Sequence, residues 1–510
     1  MFGVGTERSI LYEMLNLRFL NYLVTGRSLP AIPNMRLSRD DSLYDAGLTM
    51  GSLVIGKQGS GKTTWLAKWL VEYALRHPMW PIFALDASGS LKNTFFEIAN
   101  RQSRSNAEML MHRCVNDEMG RSDWIIPLPE FSPLYGISTE EQVQRVKENF
   151  KRLSTRLVEN APVLAGLGLK ETAPELFRIL CSIQNEYGDS WQITEAKKLL
   201  VDSEQLRLAC SLFGYKCPSA KWYFEKEYLS EDLKPHEREL RTFSLRAILG
   251  VIEPRETRGR VGYYRPGWTP KEAIDKGLIV FVSGENLTNQ QDTQHYLFTQ
   301  AYSMIMAEIN KRQPADPLDK PVLLVVDETA ALLEIEGMAQ ELGKISPLYR
   351  SRKLQLIVVI QALHQLDESL KRKIWSLGNI ICFSLQDLND AYEISQQIFT
   401  YDPRSVKIEA AHDHGQPLIE TDRGQYLQYA NWLQRIEHRQ CLMKRYFSEQ
   451  QQDKYVRFIS RTRDAPNNPL YEPIELIKER ILRERAISVR DALEDINRRK
   501  LSVNTQRPTV

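Results

Sequence analysis

One stretch constrains the architecture of this chain more than any other: an apolar run at Leu53 to Ile55 leads into Gly56-Lys57-Gln58-Gly59-Ser60-Gly61-Lys62-Thr63, and a helical pattern begins at once. Strand, glycine-rich loop and helix in this order form a Walker A P-loop in its required context. The glycines let the loop take positive φ and bring successive backbone amides up to phosphate oxygens, while the helix start adds partial positive charge. Gly56, Gln58, Gly59, Ser60, Gly61, Lys62, Thr63 and Thr64 are the expected nucleotide-binding residues. In that arrangement Lys62 reaches the β- and γ-phosphates as a point charge and the Thr63 hydroxyl ligates Mg²⁺, so the expected cofactors are ATP and Mg²⁺.

A P-loop needs a second strand that ends in acids. The run Pro321 to Val326 is unbroken and apolar, and Asp327 and Glu328 follow it. Such a run reads as a strand buried on both faces of a parallel sheet, with its acids at the carboxyl end where ligands collect. Asp327 is expected in the Mg²⁺ shell, and Glu328 is expected to orient and deprotonate the attacking water. A third apolar strand, Leu354 to Ile360, ends in Gln361, read as a sensor of the γ-phosphate or lytic water. Just before it stand Arg350, Arg352 and Lys353. A planar guanidinium suits the charge on a transferring phosphoryl, so Arg350 is the expected arginine finger and Arg352 its reserve. The plainer readings are acids that cap the following helix and basic residues that close a helix.

Composition narrows the class. Hydrophobic residues make up 42% of the 510 and charged residues 26%, the balance of a globular protein rather than a disordered one. Lys and Arg number 67 against 65 Asp and Glu, so a nucleic-acid partner has to be met by a local basic surface. The longest apolar runs fall short of a bilayer span, and the start, MFGVGTERSI, lacks the features of a secretory signal. The expected compartment is the cytoplasm. Cys114, Cys181, Cys210, Cys217, Cys382 and Cys441 form no CxxC pair and read as reduced packing residues.

The motifs together resemble the FtsK/HerA branch of P-loop motor ATPases, and within it the TraG/TraD type of conjugative coupling protein. The resemblance runs through GKQGSGKTT, the strand-end Asp86 in IFALDASGS, GLIVFVSGENLT, LLVVDETAALLE, PLYRSRKLQLIVVIQALHQLDE and LGNIICFSLQDLNDAYEISQQI. It spans about residues 40 to 100 and 260 to 400. It implies an α/β fold: a RecA-like P-loop ATPase core with a mainly parallel sheet, plus an inserted all-α domain. It also implies six subunits in a ring, ATP between neighbours, DNA in the central channel, and docking to a secretion or relaxase complex. The membrane anchor usual at the amino terminus of coupling proteins is not found in this sequence, and no LSGGQ-like signature points to the ABC branch.

Thr63 and Asp327 stand 264 residues apart, more than the core strands and helices need, so an insertion is expected. The expected organisation is an arm at 1–40, a first ATPase core segment at 41–101, a helical insertion at 102–262, a second core segment at 263–424, and a β element with two charged helices at 425–510. Helical periodicity marks Glu140 to Leu157, Pro174 to Asn185, Thr194 to Leu200, Glu204 to Phe213 and Glu239 to Ile252. The stretch Arg255 to Trp268 mixes guanidinium groups with aromatics and reads either as a DNA grip or as a solvated hairpin. His412-Asp413-His414 reads as an exposed turn rather than a metal site. The tail helices, Ile474 to Arg485 and Val489 to Lys500, are separated by a capping Ser488.

The expected function is an ATPase that moves DNA through a ring. The two rivals are a related ATPase that energises protein secretion or assembly and a non-motor nucleotide switch with a helical effector domain.

Overall fold

The computed structural model describes residues 51–157, 168–183, 191–287, 289–313, 320–327, 351–366, 368–402, 421–446, 455–461 and 472–499. The amino-terminal arm, Glu328, Arg350 and His412 to His414 lie outside the described residues.

The described residues before the tail form strands β1 (Ser52–Ile55), β2 (Ile82–Asp86), β3 (Cys114–Glu118), β4 (Trp124–Ile125), β5 (Ile279–Ser283), β6 (Val322–Asp327), β7 (Leu354–Ile360), β8 (Asn379–Cys382), β9 (Gln440–Tyr446) and β10 (Tyr455–Arg461). All but β4 join one sheet in the order β10-β9-β8-β1-β7-β6-β2-β5-β3. From β8 to β3 neighbouring strands run parallel, while β9 is antiparallel to β8 and β10 to β9. Parallel strands need both faces covered, and their residues alternate between two cores. Leu53, Phe83 and Leu324 face one core. Val54, Ala84 and Val325 face the other. Each fully buried Val, Leu, Ile or Phe in these layers contributes about 1.5–3 kcal/mol.

Helices supply the covers. On one face, α1 (Lys62–Arg76) and α2 (Ser90–Asn100) bring Trp65, Trp69, Tyr73, Phe95 and Phe96, followed by α3 (Arg104–Arg113). Six helices of eight or more residues, α4 (Thr139–Leu157), α5 (Ala173–Ser182), α6 (Ile193–Val201), α7 (Ser203–Phe213), α8 (Pro235–Val251) and α9 (Arg255–Gly262), lie in sequence between β3 and β5 among the described residues. The helical periodicities read from the sequence thus fall on helices. The chain between Thr63 and Asp327 also holds α3 and β3, which lie within the stretch expected as the insertion but pack on or join the main sheet. After α10 (Pro270–Lys276), the long α11 (Gln291–Asn310) buries Tyr296, Leu297 and Phe298 in the core of the opposite face. Buried Glu130 ties it to the inserted helices by accepting from the Tyr296 hydroxyl at 2.5 Å and from Arg145 Nη1 at 3.2 Å.

Beyond β7 the described residues form α12 (Glu368–Ile374), α13 (Leu388–Ile398), α14 (Asp422–Gln434), α15 (Ile474–Arg483) and α16 (Val489–Arg498). The expected β element after residue 425 falls on β9 and β10, which prolong the main sheet past β8. The tail folds back as well. Helix α15 lies on α2, α3 and β3, strand β11 (Ile487–Ser488) pairs with β4, and α16 packs on α9. Ser488 Oγ accepts from Asp491 N–H at 3.0 Å, the helix start its spacing predicted.

Candidate nucleotide site

The glycine-rich loop leaves β1 at Ile55 and is tied at its base to β8, where Phe383 N–H donates to Ile55 O and Lys57 N–H to Ser384 O, both at 2.8 Å. Gly56 packs so closely on this strand that a Cβ there would lie 2.5 Å from Phe383 Cβ. Gly61 precedes α1 with φ 102°, a left-handed conformation that glycine takes without steric cost. Lys62 is buried, and its ammonium donates to Gly56 O at 2.5 Å and Lys57 O at 3.0 Å. The Ser60 hydroxyl is buried with no hydrogen-bond partner among the described residues. Thr63 and Thr64 are part-exposed in the first turn of α1.

Strand β7 lies between β1 and β6, with Ile55 opposite Ile360 and Val326 opposite Val358. Gly56, Gln361 and Asp327 therefore emerge at one edge of three adjacent strands, and two inter-strand steps set the P-loop and the acid about 10 Å apart along the sheet. Gln361 is half-buried, and Asp327 is buried at the end of β6. Asp86 stands opposite Asp327 in register, yet both of its oxygens serve the start of α2, accepting from Gly89 N–H at 2.9 Å and Lys92 N–H at 2.8 Å. It thereby satisfies amides at the start of α2 that the helix itself leaves unpaired.

Arg352 is at the other end of β7. Its Nη1 donates to Asn310 Oδ1 at 2.5 Å, and its carbonyl accepts from Arg312 Nη1 at 3.4 Å. Lys353 and the seven residues of β7 lie between it and Gln361, and the strand alone spans more than about 20 Å at about 3.3 Å per residue. Arg352 is thus out of reach of the phosphate loop of its own chain.

The stretch Arg255 to Trp268 divides: Arg255 and Arg265 are exposed, while two of its members turn inward. Arg260 and Trp268 are buried, and both donate to Asp117 Oδ2 at 2.9 Å. A buried carboxylate needs such partners, so the Arg260 guanidinium and the Trp268 indole are taken up inside the protein.

One residue at the loop was not singled out in the sequence. Arg439, just before β9, has φ 62° and donates its N–H to Ser60 O at 3.1 Å. A left-handed backbone costs a non-glycine residue about 1–2 kcal/mol. The antiparallel return of β9 brings Arg439 to this edge, and no local motif announces it.

The geometry defines a class: a RecA-like P-loop ATPase fold with a helical insertion. Residues 321–437 match the family model described as the TraM recognition site of TraD and TraG. The chain resembles the solved bacterial conjugative coupling protein TrwBdeltaN70 in its unbound monoclinic form, at 13% identity over 87% of this chain and 92% of that one, with TM-score 0.50. It also resembles the trigonal form of that protein in complex with sulphate, at 13% identity over 88% and 97%, with TM-score 0.51. No curated protein sequence matches the chain. The resemblance to TraG/TraD-type P-loop proteins is borne out by the family match over Asp327, β7 and Gln361, and by a shared fold.

Proposed function

We propose that this chain is an ATPase of the conjugative and type IV secretion class that forms a ring and drives DNA through its centre. The observation that carries this reading is the order β1-β7-β6, which sets the P-loop, Gln361 and Asp327 side by side at one edge of the sheet. The donor set suits Mg·ATP: glycine-loop amides, the buried Ser60 hydroxyl, Lys62, and hard oxygens from Thr63 and Asp327. Bound there, Mg²⁺ supplies charge that offsets the phosphates.

The residues divide the work. Lys62 exchanges its two loop carbonyls for phosphate oxygens. Glu328 accepts the proton of the attacking water, and Gln361 orients that water. Arg350 acts on the phosphates of a neighbouring subunit. The position of Arg352, at the opposite end of β7 from the loop, supports action between subunits rather than within one. A ring then concentrates basic side chains in its channel although the chain carries only +2. The segment 321–437 supports docking to a secretion or relaxase complex.

The test is ATP turnover with no DNA, single-stranded DNA and double-stranded DNA at stated salt. Stimulation by DNA, with binding that weakens steeply as salt rises, is the expected result. Turnover indifferent to every DNA form moves the assignment to an ATPase that works on protein.

A further inference from the structure

Antiparallel β9 begins beside the end of β8, so the residue before it arrives at the edge of the sheet that holds the phosphate loop. That residue is Arg439. Its N–H bonds Ser60 O at 3.1 Å, and its Cα and Cγ lie 3.2 Å from the point where a Gly61 Cβ would stand. The backbone contact needs only an N–H, and φ 62° favours glycine or asparagine over arginine. What arginine adds at this position is its side chain.

The position indicates what that side chain meets. Arg439 flanks the loop on the β8 side of β1, while Gln361 and Asp327 lie on the β7 side. A nucleoside triphosphate with its terminal phosphate toward Asp327 carries its base and ribose to the opposite end of the loop, over β8 and β9. We propose that Arg439 is a nucleotide-binding residue of the same subunit, its planar guanidinium lying against the base and ribose. This rests on the nucleotide site of the proposed function. Stacking of a guanidinium on a base face is tolerant of base identity, so the contact gives general nucleoside affinity rather than a choice between adenine and guanine.

The experiment compares the full parent chain with Arg439→Gly and Arg439→Lys by calorimetric titration of ATP, GTP, ADP and inorganic tripolyphosphate with Mg²⁺ at fixed salt. Glycine keeps the backbone N–H and relieves the left-handed strain. Arg439→Gly is expected to unfold at the parent temperature or higher and to bind ATP, GTP and ADP about tenfold more weakly. Tripolyphosphate, which has no nucleoside, is expected to bind as it does to the parent. Arg439→Lys, with no planar face, is expected to fall with the glycine variant. Should Arg439→Gly unfold early, Arg439→Asn, also suited to positive φ, decides by the same comparison. Unchanged nucleotide affinity, or equal loss for tripolyphosphate and ATP, overturns the assignment and leaves Arg439 as a clamp on the loop. A parent that binds no nucleotide overturns the functional reading along with it, whereas a binding parent matched by its variant overturns this inference alone.

Discussion

Asp117 and Arg260 form a forked ion pair sealed from solvent, with Nη2 2.9 Å from Oδ2 and Nη1 bonded to Oδ1. One partner sits on edge strand β3, the other on the last of the inserted helices. Breaking such a pair strands a charge away from water, so Asp117→Ala is expected to cost about 3–5 kcal/mol. Replacing both residues by apolar ones is expected to cost less than removing the carboxylate alone. Thermal or denaturant unfolding of the three proteins checks the order, and an Asp117→Ala chain as stable as the parent refutes the sealed-pair account.

At the phosphate loop, Lys62→Ala is expected to weaken ATP binding about a hundredfold or more, because no other buried ammonium rests on Gly56 and Lys57 among the described residues. Glu328→Gln is expected to bind ATP within about threefold of the parent and to slow turnover by about 10²–10⁴. Affinity and turnover have to be measured separately. A Glu328→Gln enzyme at parental rate removes Glu328 from the chemistry.

Subunit exchange tests Arg350. Arg350→Ala subunits keep Lys62 and Glu328, while Glu328→Gln subunits keep Arg350. Each preparation alone is expected to be nearly inactive, and mixed rings are expected to recover some of the turnover at interfaces that hold both groups. Arg350→Ala that stays fully active as a monomer sinks the idea of a finger between subunits.

The buried thiols predict an alkaline limit. Burial pushes the Cys114 thiol up to about 12, with the neighbouring Arg113 charge opposing only in part. A folded-state pKa above the unfolded value of about 8.5 gives stability that is complete below that value and lost as pH rises toward 12. The expected slope is up to about 1.4 kcal/mol per pH unit for each such thiol. Cys114→Ala is expected to lie below the parent at pH 7 and to lose less stability between pH 9 and 11. Parallel curves for the two proteins over that range count against the assignment.

Much of the nucleotide edge was legible because its signals are local. Leu53 to Thr63 declare a strand, a loop and a helix in one run, and the strands before Asp327 and Gln361, apolar but for Gln355, are those of a parallel sheet buried on both faces. The inserted helices were legible from their periodicity. What escaped was settled by pairing at long range. Arg260 and Trp268 looked available to DNA because Asp117, which takes both, is over 140 positions away. A β element was expected after residue 425, but nothing within Gln440 to Tyr446 names β8 as its neighbour. Arg439 had no signal at all, since its place depends on that pairing.

Gly61 and Arg439 meet across 378 positions of sequence. On a ribosome adding roughly 5–20 residues per second, about twenty seconds to more than a minute pass between the two. Through most of that interval β1 has neither of its neighbours, since β7 and β8 are also late in the chain. The glycine loop is thus made long before the strand that finishes it. A chain cut short before β9 displays the whole Walker A motif and lacks the wall beside it.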